Sequence, residues 1–175
     1  NAFRLIHGAS DGCPGLYVER LGDFLLSQSE QLLKPEQREL LESYLKKFSL
    51  RGAYHKILNR RVRQISSAQA SPQLVLGESA PEEFVIRENG IQFALSFNEG
   101  YSVGLFLDQR ENRRRFLMGY VAPHFFVKQK QGEFSVLNTF AYTCGFSVCA
   151  AKAGATVTSL DLSKKYLEWG KRNFA

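Results

Sequence analysis

From Ser135 to Phe174 the chain switches period in a way that few architectures accept. Ser135–Phe140 reads as a buried strand, followed by a loop to Cys144. Phe146, Cys149, Ala150 and Ala153 then recur at helical spacing, with Gly154 placed to cap that helix. Thr156–Leu160 reads as another strand ending at Asp161, and Ser163 can cap a last helix with Tyr166, Leu167, Gly170 and Phe174 on one face. Strand, helix, strand, helix is the opening of a doubly wound parallel sheet, which predicts an α/β fold class. A complete sheet of this kind has about six strands. Two are read here, and the first residue is Asn rather than Met, so the chain is expected to be part of a longer protein.

The preceding residues predict a small α+β domain over 1–97, with the Rossmann-type part occupying 98–175. Phe3–Ile6 is a short strand, Ser10–Gly15 a dense turn, and Leu16–Arg20 with Phe24–Ser27 a hairpin bent at Gly22-Asp23. Pro35 sits where a helix can begin, since its missing N–H would be unpaired there. Leu41, Tyr44, Leu45 and Phe48 give that helix an apolar face. A strand at Ala53–Leu58, a loop at Ser66–Pro72 and a hairpin over Glu83–Phe97 turning at Asn89-Gly90 complete the unit. Beyond it, Asp108 and Glu111 form a variant capping box for a helix bearing Phe116, Leu117 and Tyr120, which Pro123 ends.

Composition narrows the classes. Of 175 residues 44% are hydrophobic and 23% charged, which excludes general disorder. No apolar run approaches the roughly 18 residues needed to cross a bilayer, and no signal or transit segment is read at the start, so no membrane association is expected. Three cysteines, Cys13, Cys144 and Cys149, are too few and too unevenly spaced for a disulfide framework, which makes a reducing, cytoplasmic setting the expectation. No C-x-x-C pair is present, and His7, His55 and His124 are isolated, so no metal site is expected. The net charge of +6 suits a polyanionic partner.

The chemistry-bearing constellation is Val136–Ser147 followed by Val157–Asp161. A strand enters a loop, the loop becomes a helix at Gly145, and a carboxylate ends the next strand. This is how an α/β protein binds a nucleoside, with the acid accepting hydrogen bonds from both ribose hydroxyls. Asp161 lies 16 residues beyond Gly145, near the usual offset of about 20. Only Gly145 is glycine in a loop that otherwise reads Tyr142-Thr143-Cys144, so a pyrophosphate would fit poorly. A ligand without phosphates, such as S-adenosylmethionine, tolerates such a loop. The plainer alternative makes Phe140, Phe146 and Cys149 core residues and Asp161 a helix cap.

Three ordered motifs, Gly104–Arg113, Leu137–Ser147 and Asp161-Leu162-Ser163, together with Asp11–Arg20, resemble the class I S-adenosylmethionine-dependent methyltransferases that modify large-subunit ribosomal RNA. The similarity is to the cytosine-C5 enzymes first and their guanine-N7 relatives second. It implies that Tyr142, Thr143, Gly145 and Phe146 line the methionine side of S-adenosylmethionine. By the same resemblance Asp161 holds the ribose, Leu162 and Ser163 lie near the adenine, and Phe106, Asp108, Gln109 and Arg110 close over the cofactor. Cys144 stands where many relatives carry glycine. The family's RNA-binding PUA domain is not represented here. Its catalytic loop, with a nucleophilic Cys in the cytosine-C5 branch, is expected beyond Ala175, so no residue of this chain is assigned as catalytic.

Two arginine clusters are candidate contacts to ribosomal RNA: Arg60, Arg61 and Arg63, and, on one helical face with Arg110, Arg113 and Arg114. The alternative for the second cluster is a solvated face with Glu111 and Arg115 paired. A homodimer stays open as an assembly, and a non-catalytic RNA-binding or assembly module is the alternative from another functional class.

Overall fold

A computed structural model of the chain describes residues 1–58, 66–100, 102–122, 124–126 and 134–174. The chain divides into two compact units: residues 1–87 with 95–103, and residues 88–94 with 104–175. Sequence reading put a single boundary after residue 97. The two units instead exchange chain within the predicted hairpin, β6 (Phe84–Glu88) and β7 (Ile91–Leu95). The cause lies in side chains of the second unit. Glu88 pairs with Arg113, and both polar backbone groups of Ala94 are bound by Asn173 and Trp169.

The first unit is a five-stranded sheet in the order β1 (Ala2–His7), β2 (Tyr17–Leu21), β3 (Phe24–Ser29), β4 (Gly52–Ile57), β5 (Gln73–Gly77). β3 and β4 run parallel because α1 (Pro35–Phe48) carries the chain across, and the other neighbours are antiparallel. Pro35 opens that helix as expected. Leu41 is its fully buried residue, packing into a core with Ile6, Leu16, Val18, Leu25 and Ala53. Because side chains alternate across a strand, Phe24 and Tyr54 leave on the other face. They meet Phe84 and Phe97 there, with the Tyr54 and Phe97 rings stacked at 4.1 Å. Strand β5 was not anticipated, and the expected loop before it contains one helical turn, α2 (Ser67–Ala70). Arg60, Arg61 and Arg63 lie outside the described residues.

In the second unit, α3 (Arg110–Met118) follows a 3-10 turn at Leu107–Gln109. Asp108 does not cap it: Gln109 occupies the cap position, and the Asp108 carboxylate accepts from its side chain instead. The helix stops at Gly119, whose left-handed backbone (φ 61°) ends it before Pro123. β8 (Tyr120–Ala122) and β9 (Phe125–Phe126) form a small antiparallel pair. β10 (Ser135–Thr139) and β11 (Thr156–Leu160) pair in parallel, joined through α4 (Gly145–Lys152), and α5 (Lys164–Arg172) follows. This is the predicted crossover. Among the described residues no helix is long and apolar enough to cross a membrane.

Candidate functional site

The carboxyl ends of β10 and β11 open onto two loops, and Asp161 joins them. One carboxylate oxygen accepts the Tyr142 N–H at 2.8 Å, and the other accepts the Ser163 N–H at 2.8 Å. Ser163 itself caps α5, its hydroxyl accepting the Tyr166 N–H at 3.3 Å. Asp161 is therefore no helix cap in its own right. Each of its oxygens keeps acceptor capacity beyond the one backbone bond it makes.

The loop from β10 to α4 holds three side-chain-bearing residues in left-handed backbone: Phe140 (φ 59°), Tyr142 (φ 50°) and Cys144 (φ 62°). Glycine would adopt these angles without strain, and strained backbone of this kind concentrates at functional sites. The loop is over-determined by its bonds. The Ala141 N–H donates to the Leu160 carbonyl, and the Cys144 N–H to the Ala141 carbonyl. With Tyr142 bound to Asp161, three N–H groups that could have cradled a phosphate are already engaged. The Asn138 side chain donates to Ser147 Oγ at 2.8 Å, and that hydroxyl lies 2.8 Å from Ser159 Oγ, tying both strands to α4.

Close packing replaces the missing glycines. A Cβ on Gly170 would sit 2.4 Å from Cys144 Sγ, so α5 approaches the loop only because residue 170 has no side chain. A Cβ on Gly145 would sit 2.9 Å from Leu105 Cδ1. The Asn173 side chain donates to the Thr143 carbonyl at 2.8 Å. Burial pushes the Cys144 thiol up and pushes that of Cys149 up to about 12, so neither is poised as a nucleophile.

The other predicted site residues are distributed unevenly. Phe106 is 47% exposed with its ring 5.5 Å from that of Tyr142, which also meets Tyr166 at 4.6 Å. Thr143 is buried and donates to the Gly104 carbonyl. Phe146 is half-buried against Phe116, and Cys149 is core. Phe140, by contrast, is 87% exposed, so the reading of it as core is corrected. Leu162 is fully exposed and Asp108 is exposed. Gln109 and Arg110 are half-buried, and Arg110 Nε is enclosed without a hydrogen-bond partner.

One candidate phosphate contact is overturned. Arg113 is 2% exposed and makes a two-pronged ion pair with Glu88, at 2.7 and 2.9 Å, so it cannot face RNA. Arg114 is exposed and pairs with Glu111 at 3.4 Å, a partner that sequence reading had given to Arg115. Sequence pattern alone does not single out Glu88, Trp169 or Asn173. A tryptophan three residues after Tyr166 is a hint, whereas Glu88 has none because its partner lies 25 residues away. Among the described residues no three His, Cys, Asp or Glu side chains gather as a metal site.

A family model described as S-adenosylmethionine-dependent methyltransferase matches residues 5–175. A Deinococcus radiodurans protein named ribosomal RNA large subunit methyltransferase is 36% identical, over 100% of this chain and 41% of its own length. Ribosomal RNA large subunit methyltransferase I of Escherichia coli O139:H28 is 33% identical, over 99% of this chain and 41% of its own length. A solved structure described as a methyltransferase complexed with S-adenosylhomocysteine is 31% identical with a TM-score of 0.77, covering 99% of this chain and 41% of that one. The chain thus spans about two fifths of the length of these relatives. The likeness to that structure agrees with a Rossmann-like α/β fold.

Proposed function

The chain belongs to the S-adenosylmethionine-dependent methyltransferase family, and from that premise we propose that it supplies the cofactor site of an enzyme that methylates a base of large-subunit ribosomal RNA. The observation that carries this reading is the double engagement of Asp161, which holds the Tyr142 and Ser163 backbones while keeping acceptor capacity free. The site fits a nucleoside without phosphates. Its loop N–H groups at 141, 142 and 144 are already engaged and so do not cradle a phosphate.

When bound, S-adenosylmethionine supplies an electrophilic methyl group on a sulfonium centre. The chain's own residues bind and orient it. Asp161 accepts from the ribose hydroxyls, Leu162 and Ser163 border the adenine, and Tyr142, Thr143, Gly145 and Phe146 line the methionine side. Phe106, Asp108, Gln109 and Arg110 close the site, where the unpartnered Arg110 Nε offers a donor to an anionic group. The aromatic rings of Phe106 and Tyr142 suit a cationic sulfonium. Ribosomal RNA is the proposed substrate because both named relatives carry that description, and cytosine C5 is the proposed target atom on the motif resemblance. Arg60, Arg61, Arg63 and Arg114 are the proposed phosphate contacts, and a cytoplasmic setting follows for such a substrate.

Calorimetric titration of the full-length protein tests the cofactor. S-adenosylhomocysteine should bind, and NAD and ATP should not; tight NAD binding would overturn the reading. Radiolabelled methyl transfer to unmodified large-subunit RNA, with the product digested to nucleosides, tests the substrate. Label in 5-methylcytidine is expected, and label in 7-methylguanosine would move the assignment to the guanine-N7 branch.

A further inference from the structure

We propose that Arg113 is a positioning residue for cofactor binding, acting through the backbone of Phe106; this rests on the S-adenosylmethionine reading above. Arg113 lies in the first turns of α3, an otherwise strongly charged helix, yet it alone of that helix is buried. Its Nε–H donates to Glu88 Oε1 at 2.7 Å, and one terminal nitrogen donates both to Glu88 Oε2 at 2.9 Å and to the Phe106 carbonyl at 2.9 Å. Its guanidinium carbon stands 5.9 Å from the centre of the Phe146 ring.

A buried ion pair is a poor device for stability alone, because well-packed apolar residues commonly serve as well or better. What a planar, five-donor group adds is direction: Glu88 holds the guanidinium plane, and the plane holds the Phe106 carbonyl. Two independent contacts converge on the same segment. Thr143 donates to the Gly104 carbonyl, and the absence of a Cβ on Gly145 makes room for Leu105. The carbonyls of residues 104 and 106 are therefore each held by a hydrogen bond, with Leu105 between them buried against Gly145, all within one unit. The beneficiary is the Phe106 ring, 47% exposed and 5.5 Å from Tyr142 at the loop that Asp161 organises. Exposed side chains on short extended backbone are mobile unless their main chain is held, and holding it lowers the cost of ordering on binding.

The test separates positioning from simple stability. In full-length protein the apolar pair Glu88→Leu with Arg113→Met should fold and melt near the wild type, since no charge is left buried alone. It should nevertheless bind S-adenosylhomocysteine about tenfold more weakly, the scale of one lost charge-assisted hydrogen bond. Adding Phe106→Ala to that double variant should cost little further affinity, although Phe106→Ala alone weakens binding. If the double variant does not fold, Arg113→Lys takes its place, keeping a charge against Glu88 but losing the fork that reaches Phe106. Wild-type affinity in the folded variant overturns the inference and leaves the cofactor reading standing. Failure of the wild type to bind S-adenosylhomocysteine would sink the cofactor reading itself, and this inference with it.

Discussion

The carboxylate of Asp161 accepts the backbone N–H of Tyr142, 19 residues earlier, at 2.8 Å. That bond joins the loop after one parallel strand to the end of the next, so the residue proposed to hold the ribose also shapes the loop beside it. Replacing Asp161 with Ala leaves the Tyr142 and Ser163 N–H groups without their acceptor. S-adenosylhomocysteine affinity should fall by about 1.5–3 kcal/mol per lost ribose bond. Calorimetry measures this, and Asp161→Asn, which keeps one acceptor oxygen, should fall between the two. Unchanged affinity in a folded Asp161→Ala protein would reduce the residue to a loop tie.

Gly170 and Cys144 should behave as a size-coupled pair. Gly170→Ala places a methyl 2.4 Å from Cys144 Sγ and should destabilise by about 1–3 kcal/mol. Adding Cys144→Gly removes the sulfur and suits the left-handed backbone at φ 62°, so the double variant should regain part of that loss, the Thr143 backbone 3.3 Å from the new methyl being the remaining tight contact. Urea denaturation of the four proteins gives the coupling. Simple additivity would contradict the packing described.

Glu88→Ala leaves the Arg113 guanidinium buried without its anion. The expected cost is about 3–5 kcal/mol, far above that of removing an exposed pair such as Glu111 with Arg114. Thermal or urea unfolding compares the two substitutions directly, and similar small losses would place Arg113 in solvent contact.

His55 makes the first unit sensitive to mild acid. It is buried, with Nε2 3.0 Å from the Gln31 carbonyl and Nδ1 2.9 Å from Ser27 Oγ. Burial holds its pKa below the usual 6.5, so the unfolded chain takes up a proton that the folded one resists. Its contribution to stability is present above about pH 6.5 and is lost as pH falls below that, with a slope of at most about 1.4 kcal/mol per pH unit. Denaturant midpoints measured from about pH 7 down to about pH 5.5 should decline, and His55→Gln should flatten the decline. An unaltered slope in that variant would assign the effect to other groups.

The thiols should react in order of burial. Cys13 is half-buried, whereas Cys144 and Cys149 are buried with their thiols pushed up, that of Cys149 to about 12. A thiol reagent at about pH 8 should add a single label to the folded protein, at Cys13, and three in denaturant. Intact mass followed by peptide mapping reads the result, and rapid labelling of Cys149 in the folded state would contradict its burial.

Patterns of local origin were legible without the structure. The limits of β11, the start of α1 at Pro35 and the cap at Ser163 follow from side-chain period, a missing N–H and a short hydroxyl side chain. The placement of Asp161 at a strand end follows from the same pattern. Where local signals were weak or competed, expectation failed: Asp108 looked like a cap, but a 3-10 turn moved the helix start past it. Strand β5 is short and largely exposed, with little alternation to show it.

By itself, then, the sequence determined the α/β alternation, the loop poor in glycine and the acid that follows it, because those depend on neighbours within a few residues. Tertiary structure alone decided that Arg113 turns inward while Arg114 stays out. One turn of helix offers both faces, and only the arrival of Glu88 makes burying a guanidinium tolerable. It also decided that Tyr142 and Cys144 adopt glycine-like backbone. Bonds from Asp161 and Asn173 and the bare surface of Gly170 come from residues distant in sequence, and together they outweigh a strain of about 1–2 kcal/mol per residue.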